Sequence, residues 1–330
     1  MNTSLRKDFA FALAGFLALA LLPALTSSTA LLDFVIRCAA LGLFATSLNL
    51  LVGYGGMVSF GHGLFFGLGA YSFGIIMQRL GMPIPLAILV TVIFSGLVAL
   101  VVGAICVRLT EIYFAFVTLA FQMLVHSLII ALSQFTGGDQ GLRGGIPRPT
   151  FFGINLADHS QLYLFCAGLL VIGLLLMRHI VSSPFGYTLR MVRDNAKRAG
   201  FLGINVYRTR LTAFVLAGMF ASLGGVVMSL FVSGAYPEFA FWTMSGEAVF
   251  IVMLGGTAAF LGPLVGTVVL LLLNDYVTRI AEHHGLVLGL VILFVALGLR
   301  KGLLDYVMDW RAARRIRAEE AHPVSALKGD

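Results

Sequence analysis

Apolar residues run through this chain in long, nearly unbroken blocks, separated by short polar or glycine-rich punctuation. Ten blocks can be drawn, at about 9–25, 31–52, 57–77, 84–107, 111–133, 161–180, 209–233, 245–259, 263–278 and 285–300. Several reach the roughly 20 residues with which a helix crosses about 30 Å of hydrocarbon. The last three are shorter. Lipid offers no hydrogen-bond partner to an open backbone, so such blocks predict helices. The expected fold is an all-α polytopic membrane protein with about ten transmembrane helices.

Composition sharpens this. The chain is 59% hydrophobic and 11% charged, against about 25% charged in soluble domains. A mean hydropathy of +0.97 leaves no room for a sizeable soluble domain. The expected organisation is one transmembrane domain over 1–308 and a basic tail over 309–330.

Charge sets the orientation. Basic residues gather at Arg6 and Lys7, between Arg178 and Arg210, and from Arg300 onward. Putting these with Arg108 on one side gives 17 there and five on the other. The positive-inside rule makes the richer side cytoplasmic, with both termini on it. The net charge of +7 then reports topology and contact with anionic lipid, not a nucleic-acid partner. The segment 181–208 becomes an inward loop and 134–160 an outward one. Arg6, Lys7 and the apolar run after them also fit a cleavable signal; the apolar block that follows at once favours a retained first helix. Cys38, Cys106 and Cys166 all lie in apolar blocks and read as packing residues.

Two segments break the pattern. Residues 53–74 hold eight glycines and no charge, costly in a helix in water. In a membrane, small residues allow close helix approach, and unwound backbone is tolerated where it lines a cavity. Tight packing and a permeation path are both open, with Gly55, Gly56, Ser59, His62 and Gly63 as path candidates. In the inward loop, Tyr187–Ala199 predicts a short amphipathic helix. Arg190, Arg193, Lys197 and Arg198 fall on one side, Leu189, Val192 and Ala196 on another, with Gly200 and Gly203 as stops. It suits either a soluble partner or the lipid interface.

Polar residues inside the blocks are sparse. Glu111, Thr118, Gln122, His126 and Ser133 fall within about 80° of one another at 100° per residue. Such a stripe faces the bundle interior, to bind a solute or to join helices. Glu247 stands near the start of the eighth block, where the helix dipole favours an anion. Ten spans divide into two halves of five, the second inverted, so the third and eighth correspond. Unusual segments at matched places of inverted halves point to a midplane site. No phosphate-cradling loop, metalloprotease helix or nucleophile elbow is present. The chain carries no catalytic, cofactor or metal motif.

Several runs resemble the permease subunits of the high-affinity branched-chain amino acid ABC importers. They are Leu48–Tyr71 (LNLLVGYGGMVSFGHGLFFGLGAY), Thr136–Pro147 (TGGDQGLRGGIP), Arg193–Asn205 (RDNAKRAGFLGIN), Ser245–Ala248 with Met253–Gly256, and Gly298–Leu303. The outward TGG loop resembles the longer of the two paired permeases. The resemblance implies a bacterial inner-membrane importer. A periplasmic binding protein delivers solute, a second permease completes the path, and two ATPase subunits drive it. It implies that the segment around 187–205 docks the ATPase, which assigns coupling to Arg190, Arg193, Asp194, Asn195, Lys197, Arg198, Gly200 and Gly203. The Glu-Ala-Ala…Gly pattern of importer loops is degenerate here, with Asn195-Ala196-Lys197 in its place. The family also carries urea, short amides and aromatic acids.

Overall fold

The computed structural model describes residues 2–25, 28–142, 145–148, 150–151, 154–280 and parts of 285–310. Twelve helices follow one another along these residues: α1 Asn2–Leu25, α2 Thr29–Asn49, α3 Gly63–Ile75, α4 Ile84–Cys106, α5 Glu111–Ala131, α6 Ser133–Thr136, α7 His159–Ser182, α8 Pro184–Asp194, α9 Ala196–Phe201, α10 Val206–Val232, α11 Trp242–Gly255 and α12 Gly262–Ile280. The only strands among them are Thr150–Phe151 and Ile154–Asn155, an antiparallel ladder in the loop before α7. Six stretches among the described residues are long and apolar enough to cross a membrane. The chain is therefore a multi-pass membrane protein. The tenth apolar block and the basic tail lie largely outside the described residues.

Helix ends follow local chemistry. Asn195 and Asn205 cap α9 and α10, their side-chain oxygens accepting from the Arg198 and Arg208 amides at 2.9 Å. Such caps satisfy amides that have no partner inside the helix. Pro184 opens α8, where a missing N–H costs nothing. One short helix over 187–199 was expected; Asn195 divides the segment in two, because its extended backbone starts a new helix instead of continuing the old one.

The long helix α10 is the hub, packing against α2, α3 and α4. Its approach to α3 is close enough to exclude side chains. A Cβ on Gly69 would collide with the Ser222 backbone, and one on Gly225 with the Phe66 carbonyl. α2 also meets α7 and α12, α1 lies on α7, and α11 pairs with α12. The core runs between these helices through Phe44, Phe65, Phe66 and Phe214, all buried.

The two ends of the bundle differ. At one, Asn49 Nδ2 donates to the Thr257 carbonyl at 3.4 Å, and the Arg108 guanidinium lies 5.7 Å from the Tyr207 ring. At the other, Arg79 donates to Gln134 O at 2.8 Å. There Arg148 donates to the carbonyls of Leu230 at 2.6 Å and Phe231 at 2.9 Å, closing the end of α10. The described residues of the loop 134–160 and the segment 181–208 thus occupy opposite ends, joined by α7.

Candidate functional site

The third apolar block does not form one helix. α2 runs into a π-turn, Leu50–Tyr54, after which residues 55–62 are irregular and α3 starts only at Gly63. The expected span from 57 is corrected accordingly. Gly56 has φ of +65°, a conformation that excludes a continuing helix of L-residues. The far end of the irregular stretch is pinned by His62, whose Nε2 donates to Ser47 Oγ at 2.8 Å. Ser47 Oγ spends its own proton on the Phe44 carbonyl at 2.6 Å. The imidazole stacks on Phe44 with centroids 5.4 Å apart. Gly55, Ser59, His62 and Gly63 are buried, while Gly56 lies at the surface.

Opposite this break stands the middle of α5. Gln122 Oε1 accepts from Ser245 Oγ at 2.7 Å, and Gln122 Nε2 donates to the Phe241 carbonyl at 2.7 Å. Ser245 Oγ in turn accepts from the Gly63 amide at 2.7 Å. One chain of hydrogen bonds therefore joins the N-termini of α3 and α11 to the centre of α5. Thr118 bonds within its own helix, to Ala115 O at 2.8 Å, and His126 lies 4.9 Å from the Phe241 ring. The predicted polar stripe is only half realised inside the bundle: Thr118 and Gln122 are buried, His126 half-buried, and Glu111 and Ser133 exposed at the helix ends. Glu247 is half-buried one turn into α11. Gln122→Leu is expected to cost about 1–3 kcal/mol, because the Phe241 carbonyl loses its donor and Ser245 its acceptor. Adding Ser245→Ala should cost less than the sum of the two single changes, as thermal unfolding of the purified variants would record.

The segment 184–201 lies against the same break from the charged end. Leu189 and Val192 of α8 are buried, with Leu189 packed beside Gly55. Arg193 Nη1 donates to the Gly53 carbonyl, and its Nε and Nη2 reach Asp194 Oδ1 at 3.0 and 2.9 Å. The Arg193 side chain lies across Gly56, filling the space a Cβ there would need. Arg190 turns instead to the carbonyls of Gly186 and Val181 at 3.3 Å and sits 4.6 Å over the Tyr187 ring. Asp194, Asn195, Lys197, Arg198, Gly200 and Gly203 are exposed. Phe201, 92% exposed, projects beside them with Leu202, two apolar residues that the sequence pattern did not mark.

Two further pairs of ionisable residues went unmarked. Arg37, about two turns into α2, makes a two-point contact with Asp275 of α12 at 2.8 and 3.2 Å. Asp33 and His159 pair at 2.9 Å at the starts of α2 and α7. A lone arginine in one apolar block and a lone aspartate in another were the available signal, since intramembrane charges are rare and paired.

This arrangement, a broken glycine-rich span touched by an amphipathic loop helix, can be set beside known proteins. A family model described as "Branched-chain amino acid transport system / permease component" matches residues 30–296. The high-affinity branched-chain amino acid transport system permease protein LivM of Salmonella typhimurium is 26% identical over 296 residues, 82% of this chain and 66% of that one. LivM of Escherichia coli is 24% identical over 292 residues, with the same coverage of both chains. The aligned region thus spans 66% of the length of these relatives. The autoinducer 2 import system permease protein LsrD of Salmonella paratyphi B is 25% identical over 341 residues, 96% of this chain and 98% of that one. No solved structure matches. With the match running from α2 to beyond α12 and taking in the break, the stripe and the loop helix alike, the chain belongs to the branched-chain amino acid transport system permease family.

Proposed function

We propose that this chain is the membrane subunit of an ABC importer that carries branched-chain or related amino acids into a bacterial cytoplasm. It pairs with a second permease, receives solute from a periplasmic binding protein and is driven by two ATPase subunits. In this reading it is the longer of the two permeases and hydrolyses nothing itself. Its ten spans form two inverted halves in the inner membrane, with both termini and α8–α9 cytoplasmic. α8 and α9 dock the ATPase through the exposed face from Asp194 to Gly203.

The observation that carries this reading is the contact of Arg193 with Gly53 and Gly56. Through it, motion imposed on α8 from outside the bundle reaches the break between α2 and α3 directly. A solute path then passes near that break, among Gly55, Gly56, Ser59, His62 and Gly63, with Thr118, Gln122, His126 and Glu247 on its flank. The likeness to LsrD over nearly the whole chain favours one second reading, a solute outside the amino acids.

Uptake of radiolabelled leucine, isoleucine and valine, against autoinducer 2, by cells with and without this gene separates the two. Failure of all four would remove the branched-chain amino acids and autoinducer 2 from the candidate solutes. Orientation is checked with an impermeant thiol reagent. Ser182→Cys and Ala318→Cys should label only from the cytoplasm and Asp139→Cys only from outside. Labelling at 139 from within would overturn the topology.

A further inference from the structure

A cavity of about 710 Å³ opens between α1, α7, α8 and the start of α12, within the roughly 300–1,000 Å³ typical of ligand sites. It lies apart from the α5 stripe and meets the α2–α3 break only at Tyr54. Its walls change character along their length. Toward α1 they are aliphatic, with Leu19, Leu170, Leu174 and Leu264. Toward α8 they carry two guanidinium groups, Arg178 and Arg190, with Ser182 beside them. Aromatic rings stand where the two parts meet. Arg178 lies 5.5 Å over the Phe260 ring, and Arg190 lies 5.7 Å from Tyr54 and 4.6 Å from Tyr187.

We propose that this groove holds one anionic phospholipid of the surrounding bilayer. Its phosphate meets Arg178 and Arg190, and an acyl chain lies against Leu170 and Leu174. Charge complementarity selects the occupant. An apolar cleft alone would accept any hydrocarbon, and arginines alone any anion. The two joined end to end, with rings at the boundary, match a molecule with an anionic head and an apolar tail. Arg190 is fixed at the charged end by its Nε and Nη2 bonds to the Gly186 and Val181 carbonyls, so it meets a phosphate as a positive charge already held in place. Because α8 forms one lip, a bound lipid also braces the helix that carries Arg193.

The test is native mass spectrometry of the full chain purified in detergent, stripped of lipid and titrated with dioleoyl phosphatidylglycerol or dioleoyl phosphatidylcholine. The wild type is expected to retain the anionic lipid with a preference of about fivefold or more. Arg178→Gln with Arg190→Gln should remove the preference. Leu174→Trp, which fills the cleft and keeps both charges, should remove retention itself and stays informative if the double variant misfolds. Inorganic phosphate in excess should not displace the lipid. Equal retention of the two lipids overturns the proposal. So does a preference that survives in the arginine double variant, retention that survives in Leu174→Trp, displacement by phosphate alone, or no lipid at any concentration, which would mean that protein fills the groove.

Discussion

Gly69→Leu is expected to leave almost no folded chain in the membrane. The α-hydrogens of Gly69 lie against the backbone of Ser222, and one turn away Gly225 lies against the Phe66 carbonyl. The obstacle at each is backbone, which cannot swing aside as a side-chain tip can. Overpacking typically costs about 1–3 kcal/mol and sometimes more, and two backbones wedged apart belong at the upper end. The hub helix α10 would lose its seat on α3, and α2 and α4 pack on that same hub. Fluorescence-detected size-exclusion chromatography of detergent extracts reads the outcome. Gly246→Ala is the control, because open space surrounds a Cβ there. If the two variants elute alike and in equal yield, the close contact of α3 with α10 is not what holds the bundle together.

The second large effect concerns coupling. Arg193→Glu should lower solute-stimulated ATP hydrolysis by about tenfold or more, equivalent to ~1.4 kcal/mol, with the chain still in the membrane. The substitution replaces a donor to the Gly53 carbonyl by a second carboxylate next to Asp194, so the link from α8 to the break is lost and α8 is pushed off its seat. Arg193→Lys, which can still donate once, should recover part of the stimulation. Gly203→Pro tests the backbone in the same assay. Gly203 holds φ at +83°, which a proline ring fixed near −65° cannot adopt. Normal stimulation in both Arg193→Glu and Gly203→Pro would remove α8–α9 from the coupling path.

Much of the helical framework was legible because lipid leaves the backbone few choices. The block drawn at 84–107 is α4, Ile84–Cys106, and that at 209–233 is α10, Val206–Val232. Where the chain leaves helix inside an apolar block, glycine density marked the segment but not the residues that unwind it. Residues 57–62 are as apolar as their neighbours, yet Gly56 turns the wrong way for a helix and His62 is held by Ser47, 15 residues earlier. Neither cause is periodic. Asn195 divides α8 from α9 by capping the second, and the amphipathic repeat runs across it without a break. The α5 stripe was found by its angle, but angle does not distinguish a buried Gln122 from a Glu111 at the exposed end of the same helix. Arg37 and Asp275 stayed hidden for a different reason: each is a minor flaw in its own block, and only the fold makes them a pair.

That pair also has a history in time. Arg37 and Asp275 are separated by 238 residues of chain, so a ribosome adding ~5–20 residues per second needs roughly 12–48 s to deliver the aspartate after the arginine. Throughout that interval α2 exists without its matching anion. Until then the carboxylate nearest in sequence is Asp33, one turn earlier on the same helix, and a chain broken off before residue 275 has only that neighbour on α2 to offset the arginine.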